Sequence, residues 1–399
     1  MPMCMLPCLQ PDIAMRRSFL PFAPPSLGQE EIDEVVDTLR SNWISTGPKT
    51  KRFEQAFADY VGAPASLALN SCTAGLHMAL VTLGIGPGDE VITTPLTFVA
   101  SVNVIEHVGA RPVFVDVEPD TLNLDPQRIE AALTAQTRAI LPVHYAGHPV
   151  DMDPILDLAA RHDLAVIEDA AHALAAKYKG RPIGSGENLA SFSFYATKNL
   201  TTAEGGMLTG REDLVERARV LSLHGMSRDA WRRYGPGGSW RYEVVAPGFK
   251  YNMTDIQASL GLRQLEKLAT FQARRREIVR RYNEAFAALK AFQLPVERPT
   301  VEHAWHLYVL RILPGRLRID RDRFVEELTG LNIGCSVHFI PVHIHPYYRD
   351  KYGYAPEDFP EALRAFENMF SLPLYPGLTD QDVDDVIEAV GAIVRAHLR

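Results

Sequence analysis

The 399-residue sequence predicts a two-lobed α/β protein: a large doubly wound lobe with a mostly parallel sheet, then a smaller α+β lobe. Three observations carry that expectation. Short apolar runs alternate with helix-periodic segments from about residue 66 to 168. The runs are near-continuous in apolar character, as strands are when helices cover both faces of a parallel sheet. After a long basic helix, at roughly 269–289, the pattern loosens into separated strands and helices. The boundaries read as an N-terminal extension over 1–18, a large lobe over 19–268, and a bridging helix with the small lobe over 269–399.

In chain order, residues 29–41 form an amphipathic helix with Ile32, Val35, Val36 and Leu39 on one face. A loop through Trp43–Pro48 leads to a helix over about 50–61. Strands follow at Ser66–Asn70, Glu90–Thr94, Arg111–Val117, Ala139–Val143 and Leu164–Glu168. Helices fall between them at Thr73–Leu83, Phe98–Val108, Pro126–Thr134 and Pro154–Arg161. An apolar run ends in Ser193-Phe194-Tyr195-Ala196-Thr197-Lys198 and passes into Gly205-Gly206. A strand, a helix at about 211–222 and a Gly/Trp/Arg-rich loop over Arg232–Arg241 come next. Helices at about 254–267 and 269–289 precede strands at Trp305–Leu313 and Ile333–His338. Helices at about 320–329, 360–369 and 380–396 complete the small lobe.

Bulk properties narrow the function. A net charge of −8 argues against nucleic acid or an anionic membrane as the main partner. No apolar run approaches the ~18 residues that a membrane span needs. The apolar N-terminus lacks a clean cleavage site, and Met15-Arg16-Arg17 resembles an alternative start, so a cytoplasmic protein is expected. Four scattered cysteines suit a reducing compartment, and Cys4 and Cys8 have the wrong spacing for a zinc knuckle. His338, His343 and His345 match no common zinc site either, so no metal is expected.

Chemistry concentrates where strands end, which is where ligands bind in open α/β sheets. Asn70–Gly75 joins a strand to a helix N-terminus, whose dipole and free N–H groups suit an anion. An ordinary N-cap at Ser71 or Thr73 accounts for the same residues. Glu168-Asp169-Ala170-Ala171-His172 ends another strand. There a carboxylate either caps a helix or holds a proton on a heteroaromatic nitrogen. Phe98 ends a third strand and offers a flat apolar face. Lys198 follows a buried strand, where desolvation turns an amine into a carbonyl-attacking nucleophile. An anion seat, a flat face, a carboxylate and a lysine together describe a site for pyridoxal 5′-phosphate.

On those residues, with Trp43–Gly47, Gly88–Ile92, Gly248–Gln257 and Ser371–Thr379, the chain resembles a known family from about Phe19 to Val390. It resembles the sugar aminotransferases of the DegT/DnrJ/EryC1/StrS type, fold-type I pyridoxal-phosphate enzymes acting on nucleotide-linked keto-sugars. The resemblance implies that Lys198 carries the cofactor and that Asp169 pairs with its pyridine nitrogen. Thr73, Ala74 and Ser193 would take the phosphate, Phe98 would stack and His172 would line the ring. It further implies a homodimer with shared sites, L-glutamate as amino donor and 2-oxoglutarate as its product. The family's usual Gly-Tyr-Asn-Tyr-Arg reads Gly248-Phe249-Lys250-Tyr251-Asn252 here, so either Lys250 or Asn252 reaches the partner's phosphate. That variant looks closest to enzymes aminating C4 of UDP-linked keto-sugars, for amino-sugar or cell-surface polysaccharide synthesis.

Trp43, Ser45, Thr46, His306, Tyr308 and His338 are the expected substrate-side residues, with His343 and His345 beside them. Arg232, Arg233 and Arg241 either meet a nucleotide diphosphate or belong to a solvated loop. The rival readings are a 3-keto-sugar aminotransferase using dTDP- or GDP-sugars, a sugar dehydratase and a non-catalytic regulatory relative. Sugar dehydratases of the family carry histidine where this chain has Lys198, and the intact lysine, carboxylate and anion seat argue against a regulatory relative.

Overall fold

The structure, a computed structural model, describes residues 16–227 and 242–399. Residues 1–15, with Cys4 and Cys8, and the loop carrying Arg232, Arg233 and Arg241 lie outside the described residues. Helices α1 (Gln29–Arg40) and α2 (Pro48–Val61) come first. The alternation then runs β1 (Ala65–Leu69), α3 (Cys72–Leu83), β2 (Glu90–Thr93), α4 (Ala100–His107), β3 (Arg111–Phe114) and α5 (Pro126–Ile129). It continues with β4 (Thr137–Leu141), α6 (Met152–His162) and β5 (Ala165–Asp169). Two short strands, β6 (Lys177–Tyr178) and β7 (Arg181–Pro182), precede β8 (Leu189–Ser193), β9 (Gly206–Gly210) and α7 (Glu212–Leu221). The long helix α8 (Asp255–Ala287) leads to β10 (Phe292–Gln293), β11 (Val301–Glu302) and β12 (Tyr308–Ile312). Then come α9 (Arg321–Gly330), α10 (Pro346–Tyr352), α11 (Pro360–Asn368), β13 (Met369–Leu372) and α12 (Asp380–His397).

The large sheet has seven strands in the order β1-β9-β8-β5-β4-β2-β3. All neighbours are parallel except β9, which runs antiparallel to both β1 and β8. The expected mostly parallel α/β sheet is therefore present. The carboxyl ends of β1, β5 and β8 meet the start of β9 on one edge, and the ligand-binding edge of the sheet is set by that order. Phe53, Phe57, Phe192 and Phe194 pack edge-on or tilted beneath it. A second sheet, β10-β12-β13, builds the small lobe, whose core includes Tyr282, Phe286, Phe324 and Phe370.

Several local expectations are corrected. The two helices expected at 254–267 and 269–289 are one helix of 33 residues. No glycine or proline interrupts Leu268–Thr270, and the buried face continues through Leu268, Gln272, Arg275, Ile278 and Tyr282. A Cβ at Gly261, inside that helix, would stand 2.5 Å from the Phe53 ring, so glycine is what lets α2 cross there. Ile333–His338 is not a regular strand. Ile333 pairs with Leu20 and Ser336 with Ser371 as isolated bridges, on two different neighbours. Trp305 has φ of 48°, so β12 begins only at Tyr308. The segment assigned to the large lobe from residue 19 begins in the other core: Leu20 is buried among the small-lobe residues. Arg16 pairs with Asp382 and Asp385 of α12, so the expected extension is tied down at least from there.

The expected face of α1 is only partly covered, with Val35 and Val36 half-buried. Ile32 and Leu39 are about half exposed, while Glu31, Glu34 and Thr38 are buried. The buried carboxylates are matched by α8 and by Lys49 of α2. Arg263 and Lys49 pair with Glu34 at 2.5 and 2.7 Å, and Gln264 and Lys267 bond Glu31 at 2.9 and 2.7 Å. An amphipathic pattern says that one face is covered, not which chain covers it.

Candidate active site

A cavity of about 470 Å³ opens at the strand-end edge, between the large sheet and the small lobe. Thr73, Phe98, Asp169, His172, Ser193 and Lys198 line its large-lobe side, and His306 and His338 line the other. The β8–β9 connection brings Lys198 there, in a turn where its N–H donates to the Tyr195 carbonyl at 2.9 Å. Surrounding protein desolvates the amine and pushes its pKa down to about 8, against the pull of Cys72 and Asp169.

Asp169 ends β5 and is nearly buried. Burial raises its pKa, opposed by the Ser101 hydroxyl and the Ala171 N–H. Ser101 Oγ donates to Oδ2 at 2.7 Å, and Ala171 N–H to Oδ1 at 3.1 Å. Ser101 is itself bonded to Thr97 Oγ1 at 2.8 Å. Asp169 is thus held by neutral donors, which leaves it to complement a cation in the cavity.

At the turn after β1, Ser71 caps α3 by accepting the Ala74 N–H at 3.1 Å. The amides of Cys72 and Thr73 stand in the first turn, where no intrahelical acceptor exists. A Cβ at Gly206 would stand 2.4–2.6 Å from the Ser71–Cys72 backbone, so only glycine lets β9 start against this turn. Ala74 does not line the cavity. Its N–H is spent on the cap and its side chain lies in the core, which corrects its expected place.

The histidines are fixed by their partners. His172 Nδ1 accepts the Ala146 N–H at 3.2 Å. His306 Nδ1 meets Asn199 Oδ1 at 3.1 Å, while Asn199 Nδ2 donates to the Ala304 carbonyl at 2.9 Å. Those bonds assign the proton of His306 to Nδ1 and that of His172 to Nε2. The two rings lie 4.3 Å apart between centroids. His338 bonds Ser371 Oγ at 2.9 Å, and Phe339 lies against both Phe98 and His172. Burial holds His172 and His306 well below the usual range and takes His338 down to about 4, so all three imidazoles are neutral at pH 7.

Other expected residues lie elsewhere. Tyr308 is in the small-lobe core, with its hydroxyl donating to Asn283 Oδ1 at 2.7 Å. Its neighbour Leu307 lines the cavity instead. His343 packs on Phe359 and donates from Nε2 to the Pro356 carbonyl at 3.0 Å; neither it nor His345 lines the cavity. Trp43, Ser45, Thr46, Lys250 and Asn252 are outside this lining too. They form one polar cluster. Trp43 Nε1 donates to the Thr46 carbonyl at 3.0 Å, Asn252 Nδ2 to Thr46 Oγ1 at 2.6 Å, and Lys250 Nζ to Asn252 Oδ1 at 2.6 Å. Asp255 N–H donates to the Ser45 carbonyl at 3.1 Å. Sequence reasoning missed Ser101, Asn199 and Phe339. Only Asn199, adjacent to Lys198, carried a signal.

Among the described residues, no group of three or more His, Cys, Asp or Glu is arranged to hold a metal ion, and no helix is long and apolar enough to cross a membrane. The donor set instead fits pyridoxal phosphate: a desolvated amine, a carboxylate held by neutral donors, and a glycine-lined helix N-terminus.

The family model of the DegT/DnrJ/EryC1/StrS aminotransferase family matches residues 25–391. The chain is 55% identical over 381 residues to the uncharacterized protein MJ1066 of Methanocaldococcus jannaschii, covering 95% of this chain and 99% of that one. It is 53% identical over 385 residues to the spore coat polysaccharide biosynthesis protein SpsC of Bacillus subtilis, covering 96% and 99%. Spr1654 of Streptococcus pneumoniae, assigned as a sugar aminotransferase, superposes in its PMP form with a TM-score of 0.89 at 39% identity, covering 94% and 99%. The same protein has been solved in its PLP form. The chain belongs to the DegT/DnrJ/EryC1/StrS aminotransferase family and is a pyridoxal-phosphate-dependent aminotransferase.

Proposed function

We propose that this aminotransferase moves the amino group of L-glutamate onto a nucleotide-linked keto-sugar, at C4 of a UDP-4-keto-sugar, for amino-sugar or cell-surface polysaccharide synthesis in the cytoplasm. The observation that carries the sugar reading is the small-lobe wall. His306, His338 and Phe339 present neutral imidazoles and an aromatic face. Among the described residues lining the cavity, Lys198 is the sole basic side chain of lysine or arginine type. A site built only for a dicarboxylic acid calls for arginine forks, whereas neutral acceptors and donors suit sugar hydroxyls. SpsC, named for polysaccharide biosynthesis, supports the same direction.

Lys198 is the residue that would carry the cofactor, and Thr73 and Ser193, with the first-turn amides of α3, would take its phosphate. Phe98 would cover its ring, and His172 would line it. When bound, pyridoxal phosphate supplies the electron sink that makes the donor's Cα proton removable. Lys198, whose amine burial brings down to a pKa of about 8, would be the base that takes that proton from Cα and gives it back. Asp169 would hold a proton on the pyridine nitrogen, with the Ser101 hydroxyl and the Ala171 N–H fixing its two oxygens. Phe339 and the histidines narrow the cavity and limit water.

The working unit is proposed to be a homodimer with shared sites. Ile32 and Leu39 of α1 lie exposed in one chain, with Trp43, Ile44, Val244 and Val245 also exposed. Lys250 and Asn252, in the cluster with Thr46, would serve the phosphate of the partner's site. The test is a panel of UDP-, dTDP- and GDP-linked 3- and 4-keto-sugars given to the pyridoxamine form, with the amination position read by NMR. Amination at C4 of a UDP-sugar is expected. Turnover confined to 3-keto-sugars, or to none, would overturn the assignment.

A further inference from the structure

A pair of hydroxyls stands behind the carboxylate of Asp169. Thr97 lies just before α4, and Ser101 is the second residue of that helix. Thr97, Ser101 and Asp169 are 2%, 1% and 5% exposed. Thr97 Oγ1 and Ser101 Oγ are 2.8 Å apart, and Ser101 Oγ reaches Asp169 Oδ2 at 2.7 Å. All three residues line the cavity, so the chain of hydroxyls ends at the group that would meet the cofactor.

The chain has a direction. Each hydroxyl has one hydrogen to give, and an ionised carboxylate can only accept. The hydrogen of Ser101 therefore has two destinations: Asp169 Oδ2, or the Phe98 carbonyl at 3.2 Å. That carbonyl is uncharged, and it already accepts the Ser101 N–H at 3.2 Å. The shorter bond to the charged acceptor is the stronger one. With its hydrogen spent on Asp169, Ser101 is the acceptor in its bond with Thr97. The order is Thr97 O–H to Ser101 O–H to Asp169 Oδ2, and hydroxyls aligned in this way strengthen one another.

That order favours one protonation state. A proton on Oδ2 would force Ser101 to turn from donor to acceptor and send its hydrogen to Phe98. A proton on Oδ1 would face the Ala171 N–H, which cannot accept. Cys72 Sγ is 4.0 Å from Oδ1 but 3.4 Å from the Ser191 carbonyl, so its hydrogen belongs to the carbonyl. The other titratable groups near the carboxylate are Lys198, which changes its charge as it takes and releases the cofactor, and His144, whose Nε2 bonds Glu168 at 3.1 Å. The hydroxyl pair is the part of the surroundings that stays constant.

We propose that Thr97 and Ser101 are positioning residues that act on the cofactor through Asp169: their aligned hydroxyls hold the carboxylate ionised, so the shared proton stays on the pyridine nitrogen. The inference rests on the pairing of Asp169 with that nitrogen proposed above.

The test loads the holoenzyme with cofactor carrying nitrogen-15 in its ring, whose NMR shift reads how far the nitrogen holds the proton. The wild type should show a protonated nitrogen. Ser101→Ala removes a charge-assisted hydrogen bond and leaves the carboxylate more basic. The share of the proton held by oxygen should rise about tenfold or more, moving the nitrogen signal toward its unprotonated position. Thr97→Val, which keeps the shape and drops the hydroxyl, should move the signal the same way by less. Thr97→Ser, which keeps the hydroxyl, should hold it near the wild-type position. The amino-donor half-reaction should slow most in Ser101→Ala. A wild-type nitrogen shift in Ser101→Ala holoenzyme overturns the proposal, as does a signal that moves as far in Thr97→Ser as in Thr97→Val. If Ser101→Ala takes up no cofactor, Thr97→Val decides by the same reading. Asp169→Asn separates the two levels. A nitrogen unmoved in that variant defeats the pairing itself, and the chain with it. A nitrogen that moves in Asp169→Asn but not in Ser101→Ala leaves the pairing and defeats the hydroxyl chain alone.

Discussion

At the scale of single residues, the site works by removing alternatives to the chemistry wanted. Asp169 has neutral hydrogen-bond donors on both oxygens, and the charge that acts on it from the cavity wall is the Lys198 amine. Asp169→Asn should keep the shape and lose most of the rate, because an amide cannot hold a pyridinium proton. Single-turnover kinetics with glutamate check this. A rate within about twofold of wild type would make the carboxylate a mere structural group, of the kind whose loss costs only about 1 kcal/mol of stability. Lys198 makes a second prediction through pH. Its pKa in the cofactor-free fold, about 8, lies below the ~10.4 of an unfolded lysine. Between those values the unfolded chain binds the extra proton, so stability rises with pH across that window. Below about pH 8 both states are protonated and the penalty is fully present. Urea midpoints of cofactor-free protein should therefore climb from pH 8 to pH 10, and the climb should be smaller in Lys198→Met. Equal slopes in the two proteins would show that the amine is solvated in the fold. Lys198, Asp169 and Ser71 were legible in the sequence because each ends an apolar strand, and strand ends define the ligand edge. Ser101 was not, since a serine one helical turn past Thr97 is ordinary until the sheet order brings β5 beside α4's start. Tyr308 was misplaced because its side chain turns to the opposite side from Leu307, and which side faces the cavity depends on the lobe packing.

At the scale of elements, capping explains the one joint that links the polar cluster to the frame. Asp255 opens α8 and is 1% exposed. Its carboxylate accepts N–H bonds from Gly47 at 2.8 Å, Lys49 at 3.0 Å and Thr50 at 2.8 Å, and the Thr50 hydroxyl at 2.6 Å. The first residue of α8 thus caps the N-terminus of α2, where a negative charge also meets the favourable end of the helix dipole. Asp255→Ala should cost about 2 kcal/mol or more, since several donors are left unmatched in a buried place. Equilibrium denaturation checks this, and Asp255→Asn should recover part of the loss. A change below about 0.5 kcal/mol would mean that the donors find water instead. The helices were legible from their period, and the parallel strands as short continuous apolar runs between them. Strands of two to four residues, such as β6, β7 and β13, carry too few positions to show a period, and their pairing is decided by distant chain. The continuity of α8 was obscured by a change of composition, from apolar to basic, that marks a change of neighbours rather than a break.

At the scale of the whole molecule, the exposed face of α1 and the cluster at Lys250 and Asn252 point to a unit larger than one chain. Ile32 and Leu39 of α1 are 54% and 51% exposed, and Val244 and Val245 are 61% and 63% exposed. Lys250 is exposed, and neither it nor Asn252 lines the cavity of its own chain. In the proposed homodimer, Lys198 comes from one chain and Lys250 or Asn252 from the other. A two-fold dimer has two equivalent sites, each drawing on both chains. The decisive measurement mixes Lys198→Ala with the double variant Lys250→Ala and Asn252→Ala, each inactive alone. After subunit exchange about half the dimers are mixed. In a mixed dimer one site receives the wild-type lysine from one chain and the wild-type loop from the other, while the second site receives neither. About a quarter of wild-type activity should therefore return, from symmetry alone. Recovery at that level would also assign the cluster around Thr46 to the partner's cavity. No recovery, with exchange shown independently by mass, would place both contributions in one chain, and the exposed face of α1 would need another occupant.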